Sequence, residues 1–214
     1  MLFLGCHLDD VEFGCGGLLS QLAKKDVQIH IAVLSASNKN ANGEIQLERD
    51  RSEAYSALRQ LGLPENTLYI GSCYGQIFDQ TPQKVREELL ELRRRFQPKV
   101  VFYPACRDIH QDHGVLAENA FRIFRNVSCF GYEIVRSTFN FHPTVYVGLS
   151  EENVDNKIRS VLTYRSQQKQ SAGYYFNAEL LRACTVFRGG QCDMPYAEAF
   201  ECYRIIVSER GNRQ

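Results

Sequence analysis

The sequence predicts a single α/β domain over residues 1–214, with a mostly parallel sheet covered on both faces by helices. Three observations carry this. Strand-like and helix-like segments alternate through the first 125 residues, the pattern of strand–helix–strand crossovers. The main strand candidates are near-continuous apolar runs, as strands buried on both faces require. Histidines and carboxylates follow directly after two of those runs, and in such sheets ligands sit beyond the carboxyl ends of the strands.

The apolar run Met1 to Leu4 reads as the first buried strand. It breaks at Gly5 into a loop that holds Gly14, Gly16 and Gly17, which are expected to let the chain turn tightly into its first helix, Gly17 to Lys25. There Leu18, Leu19, Leu22 and Ala23 share one face. Val27 to Leu34 is the second strand, and Ser35 to Gly43 is a polar loop. Glu44 to Leu61 has helical apolar spacing with Gly62 as its C-cap. A short strand at Thr67 to Ile70 and a loop from Gly71 to Thr81 come next. Thr81-Pro82 opens a helix to about Phe96, with threonine as cap and proline in the first turn. Val100 to Tyr103 is a strand, and the loop from Ala105 to Asp112 precedes a helix from His113 to Arg125. The remainder reads as strands at 132–135 and 144–148, helices at 150–164 and 176–187, and a last strand at 199–207.

Composition narrows the function. The 25 basic and 25 acidic residues balance, so the basic excess of a nucleic-acid binder is missing, and Arg93-Arg94-Arg95 reads as the solvated end of a helix. No apolar run approaches the roughly 20 residues of a membrane span. The N-terminus has no basic region, and its apolar run stops at His7, so no signal peptide is expected. The eight cysteines form no CxxC pair. They are expected to be reduced and mostly buried, which suits a cytoplasmic protein. The sequence is compatible with a homo-oligomer and does not specify one.

Two clusters carry chemistry. After the first strand come His7, Asp9, Asp10 and Glu12; after the strand at 100–103 comes Asp108-Ile-His110-Gln-Asp112-His113. His7 and Asp10, three apart in a loop, reach one ion, and His113 is the candidate third ligand. Two histidines and a carboxylate suit a catalytic zinc, which takes three protein ligands and leaves one position open. Iron(II) or another divalent ion fits the same donors. Asp9 beside the ligand is then available as general base. His110, as an imidazolium, is the candidate electrophile at the oxyanion, oriented through a ring nitrogen by Asp112. Glu12 reads as a supporting partner rather than a ligand. The plainer readings stand beside these: Asp9-Asp10 also suits a turn or helix cap, and His110 and His113 suit an ordinary loop-to-helix surface. What favours a site is that both clusters fall on one predicted sheet edge. His30 and His142 read as structural, and Cys6 and Cys106 as neighbours of the clusters.

The segment His7-Leu-Asp-Asp-Val-Glu12-Phe-Gly-Cys-Gly-Gly17 resembles the His-Pro-Asp-Asp-Glu opening of the LmbE-like (PIG-L) zinc-dependent N-deacetylases. Asp108 to His113 is similar to that family's His-Pro-Asp-His signature. Glu53 to Gly62, Lys157 to Gln167 and Pro195-Tyr-Ala-Glu-Ala-Phe200 extend the likeness over nearly the whole chain. The resemblance implies a Rossmann-like three-layer α/β sandwich and hydrolysis of an N-acetyl group on a glucosamine-type small-molecule sugar. It implies one zinc per chain on His7, Asp10 and His113, with Asp9 as base and His110 held by Asp112. Leu8 and Gln111 stand where the family has proline. The family's substrate arginine aligns with Asp50, so Arg49 and Arg51, which flank it, are the candidates for substrate contact, at most one of them serving.

Two rivals remain from the sequence. Asp108-x-His110-x-Asp112-His113 is close to the metallo-β-lactamase motif but lacks its first histidine, and that family leaves the first cluster unexplained. The other rival is a non-catalytic metal- or sugar-binding protein on the same fold, which would not need Asp9.

Overall fold

The first apolar run forms the central strand of the sheet. The computed structural model describes residues 1–39, 45–46, 51–171 and 174–207. In chain order the elements are β1 (Leu2–Gly5), α1 (Asp10–Leu22), β2 (His30–Val33), β3 (Asn38–Lys39), β4 (Ile45–Gln46), α2 (Arg51–Leu61) and β5 (Leu68–Ile70). Then come α3 (Pro82–Phe96), β6 (Val100–Pro104), α4 (Gln111–Ile123), β7 (Ser128–Tyr132) and β8 (Val145–Gly148). The chain continues through α5 (Glu151–Val161), α6 (Arg165–Ser171), α7 (Ala178–Gly190) and β9 (Ala197–Arg204).

Seven strands make one sheet in the order β5-β2-β1-β6-β7-β9-β8. β5, β2, β1, β6 and β7 are parallel, and β9 runs against both its neighbours. β3 and β4 pair separately. The sheet is the mostly parallel, helix-covered one expected from the alternation. Side chains alternate across it with the period of a strand. Phe3, Ile31, Val33 and Phe102 pack toward α1, α2, α5 and α7. Leu2, Leu4, Ala32, Val101 and Tyr103 pack toward α3 and α4. Phe3 stacks on Phe102 at 4.7 Å between ring centres.

Several element boundaries differ from the sequence expectation. α1 starts at Asp10 rather than Gly17, so the three glycines lie inside the helix. Glycine costs a helix interior about 1 kcal/mol relative to alanine, which is why the segment reads as loop. Here close packing overrides propensity. A Cβ on Gly14 would stand 2.1 Å from the Tyr132 ring, and one on Gly17 would stand 2.4 Å from Leu149. The helix expected over Glu44 to Leu61 is described over Arg51–Leu61; Ile45–Gln46 is extended, and residues 47–50 lie outside the described part. The strand expected at 132–135 lies four residues earlier, in parallel register with β6 from Val100↔Ser128 to Pro104↔Tyr132. The segment 150–164 ends as helix at Val161, after a start fixed by a Ser150/Asn153 capping box. All eight cysteines are free. No helix among the described residues is long and apolar enough to cross a membrane.

Candidate active site

β1 and β6 are neighbours, with Leu2 opposite Val101 and Phe3 opposite Phe102. β2 and β5 extend the sheet to one side of β1 while β6 and β7 extend it to the other. The chain reverses its direction of growth between β1 and β6, the point where the carboxyl-end loops open a crevice. Both polar clusters hang from those two strands, so they meet.

Asp10 sits at the centre. Its Oδ2 accepts hydrogen bonds from the backbone N–H of Cys6 and of His7, both at 2.8 Å, which closes the turn after β1. The same oxygen is 3.4 Å from His7 Nδ1, and Oδ1 is 3.4 Å from His113 Nε2. Behind each histidine stands a second carboxylate. His7 Nε2 lies 2.9 Å from Asp112 Oδ2, and His113 Nδ1 lies 3.0 Å from Asp108 Oδ2, without the alignment of a full hydrogen bond. These outer carboxylates are themselves held. Asp108 accepts from Ser137 Oγ at 2.8 Å, Thr138 Oγ1 at 2.9 Å and the His110 N–H at 2.9 Å. Asp112 accepts from the N–H of Phe78 at 3.0 Å and from that of Gln76.

This arrangement differs from the sequence expectation at Asp112. Its carboxylate binds His7, not His110; the contact to His110 runs from the Asp112 backbone N–H to His110 Nδ1 at 3.2 Å. His110 is the N-cap of α4, and accepting there leaves its proton on Nε2. The His110 ring stacks on His113 at 4.4 Å and meets the edge of His7 at 4.9 Å.

The charges follow from these contacts. Burial alone would lower His7 and His113, but the Asp10 carboxylate raises them to about 9 and about 10. Burial would raise Asp10, but the two histidines beside it hold it well below the usual carboxylate range. Asp108 and Asp112 are likewise lowered despite burial, by the nearby His113 and His7 respectively. His110 is pushed down to about 4 by burial and by the charges of His7 and His113, which favours a neutral imidazole where the sequence reading expected an imidazolium.

These residues fit a metal. His113 is 3 % exposed, yet both its ring nitrogens lack an aligned hydrogen-bond partner. Asp10 reaches both histidines, Oδ2 standing 3.4 Å from His7 Nδ1 and Oδ1 3.4 Å from His113 Nε2. An outer carboxylate on the far nitrogen is how metal-binding histidines are commonly fixed. His7, His110 and His113 also bring ring nitrogens within 4.8 Å of one another, as do the donor atoms of Cys6, Asp10 and His113. His110 lacks an outer carboxylate, and the Cys6 thiol is pushed well up by burial and by Asp10. Both are therefore weaker candidates.

Asp9 is buried at the start of α1, and its side chain makes no capping bond to the helix. Glu12, one turn into α1, accepts from Tyr164 Oη at 2.9 Å, and burial raises it to about 8. Arg51 is the exposed first residue of α2, and no bond among the described residues joins it to the cluster; Arg49 lies outside those residues. His30 stacks on Phe96, and His142 lies 2.6 Å from Asn140, both apart from the cluster. Sequence reasoning missed Asp108 as the partner of His113, and Ser137 and Thr138 behind it. It also missed Glu198, whose carboxylate takes the N–H groups of Gly17 and Leu18 at 2.8 and 2.7 Å and pairs with buried Lys157 at 2.6 Å. Both residues lie in segments that resembled family motifs; their pairing clamps α1.

Residues 2–124 match the protein family described as PIG-L, GlcNAc-PI de-N-acetylase. The uncharacterized deacetylase YaiS of Escherichia coli K12 is 25% identical over 171 residues, covering 78% of this chain and 90% of YaiS. The conserved protein TT1542 from Thermus thermophilus superposes with a TM-score of 0.76 at 26% identity, covering 100% of this chain and 98% of its own. The N,N'-diacetylchitobiose deacetylase from Pyrococcus horikoshii shares the fold, with a TM-score of 0.69 at 20% identity, covering 94% of this chain and 82% of its own.

Proposed function

Because the chain belongs to the PIG-L (LmbE-like) family of de-N-acetylases, we propose that it hydrolyses the N-acetyl group of an N-acetylglucosamine-type sugar, glycoside or nucleotide sugar, with one zinc ion held by His7, Asp10 and His113. The observation that carries this reading is the pair of histidines, each backed by an outer carboxylate and each turning its other nitrogen to within 3.4 Å of Asp10. When bound there, zinc supplies Lewis-acid activation of water and polarisation of the amide carbonyl.

The chain's own residues do the rest. Asp9, next to the ligand Asp10, takes the proton from water as the C–O bond forms. It returns that proton to the sugar nitrogen as the C–N bond breaks, so the amine leaves neutral and the second product is acetic acid, which ionises to acetate in water. His110 donates from Nε2–H to the oxygen that gains negative charge. A neutral imidazole is enough for that, and its Nδ1 is already occupied by the Asp112 N–H. Asp108 and Asp112 keep the two ligand histidines in the correct tautomer and orientation.

Metal analysis of the purified protein, together with acetate release from free, nucleotide-linked and lipid-linked N-acetyl sugars, tests the proposal. About one zinc per chain is expected, and Asp9→Ala should keep the metal while losing acetate release. Two metals per chain, or full activity in Asp9→Ala, would overturn the mechanism.

A further inference from the structure

We infer that the groove between α3 and α4 is a second binding site, and that it takes a soluble ligand carrying two or three linked phosphate groups. The groove has a volume of about 430 Å³. Arg86 and Arg93 line it from α3, Arg122 and Arg125 from the end of α4 and the turn after it, and no carboxylate among the described residues does. The chain as a whole carries no net charge, so four guanidiniums on one groove are a local concentration and not a general surplus. His110 caps the opposite end of α4. At about 1.5 Å per residue, about 18 Å of helix separates it from Arg122.

Helical spacing brings the arginines together. Arg86, Leu90 and Arg93 fall on one face of α3, and α3 packs on α4. Of the three successive arginines that close α3, Arg94 pairs with Glu91, and Arg95 lies over the Tyr69 and Phe96 rings. Arg93 instead reaches across and donates to the Ile123 carbonyl at 2.8 Å. Arg125 donates through Nε to the adjacent carbonyl, that of Arg122, at 3.3 Å. Two guanidiniums are thus anchored on successive carbonyls, each with further N–H groups to give. Arg122 pairs with Glu118. Arg86 is exposed and has no hydrogen bond or ion pair among the described residues.

Helix ends explain part of this gathering. Cations favour the C-terminal end of a helix, where carbonyls lack partners, and that accounts for Arg93, Arg122 and Arg125. It does not account for Arg86, in the second turn of α3, or for a groove with no carboxylate to offset the charge. Glu118 answers one of the four charges. The rest suit linked phosphates, because a guanidinium fork matches two phosphate oxygens. A membrane or a nucleic acid would need a broad exposed face. Here the surface is concave and its apolar groups are withdrawn, Leu90 half-buried and Ile123 buried.

Isothermal titration of the metal-loaded protein with inorganic tripolyphosphate, and separately with ATP, tests the site. Wild type should bind at a single site. Arg86→Gln/Arg125→Gln should bind about a hundredfold more weakly, about tenfold for each charge-assisted contact removed. Arg94→Gln/Arg95→Gln loses the same charge outside the groove and should stay within about twofold of wild type; circular dichroism shows that both variants keep the fold. Tighter binding of ATP identifies a nucleotide, tighter binding of tripolyphosphate an inorganic polyphosphate, and either upholds the inference if the groove variant loses it. No binding by wild type, equal loss in both double variants, or loss only when His113→Ala removes the metal overturns it. So does binding to phosphatidylglycerol vesicles with none to free tripolyphosphate. None of these readouts depends on acetate release, so the site stands or falls apart from the proposed activity.

Discussion

At the floor of the cluster His7 and His113 are each held from behind by a buried carboxylate, while at the rim Ile109 and Phe139 stand exposed. His113 touches Asp10 on one side and Asp108 on the other, and Asp108 is itself bonded to Ser137, Thr138 and the His110 backbone. Ile109 and Phe139, beside the same loop, project into solvent. The difference separates two tasks. Holding an ion demands donor atoms fixed to a fraction of an ångström, and a chain of bonds into the core supplies that. Choosing among substrates needs only a few exposed groups, which can change without disturbing the ion.

The largest break in this contrast should come from the floor. His113→Ala is expected to reduce bound metal to background and abolish acetate release; metal analysis after gel filtration, with circular dichroism to show the fold is kept, checks both. Asp9→Asn should cost about a hundred- to ten-thousand-fold in kcat, the usual range for a general base, with metal content unchanged. A loss of metal in that variant would move Asp9 from base to ligand.

One layer further out, Asp108→Asn should weaken metal affinity by about ten- to a hundredfold, read by competition with a chelator. An unchanged affinity would mean that Asp108 merely closes the turn before α4. In the support beneath, Gly14→Ala should lower stability by about 1–3 kcal/mol, because its methyl meets Tyr132. Urea unfolding measures this, and an unaffected midpoint would show that α1 has room to move. At the rim, Phe139→Ala should stay within about 0.5 kcal/mol in the same assay.

A pH measurement sharpens the comparison from beneath the floor. The carboxyl of Glu12 is raised to about 8 by burial from an ordinary value of 4.5. The folded state then binds this proton more tightly than the unfolded chain does. Its contribution is fully present below about pH 4.5 and is lost as pH rises toward 8. In metal-free protein, Glu12→Gln should remove that slope, so that the variant gains on wild type between pH 5 and 8. Parallel profiles for the two proteins would mean that Glu12 is ionised in the folded state.

Much of the site was legible before any coordinates. His7, Asp9 and Asp10 lie within four positions, and Asp108 to His113 span a loop entering a helix; short spacings at strand ends fix what those side chains can reach. The partnership of His7 with Asp112 was not legible, since it joins residues 105 apart. Nor was the helical state of Gly14, Gly16 and Gly17, where local propensity argued for a loop.

The sequence by itself determined the strand–helix alternation, the two polar clusters and their place at strand ends, because these follow from periodicity and from contacts within a few residues. Only the tertiary structure decided that β1 and β6 are neighbours, which carboxylate stands behind which histidine, and how closely α1 approaches Tyr132. Those depend on packing between segments far apart in the chain, and such packing leaves no periodic trace in either segment alone.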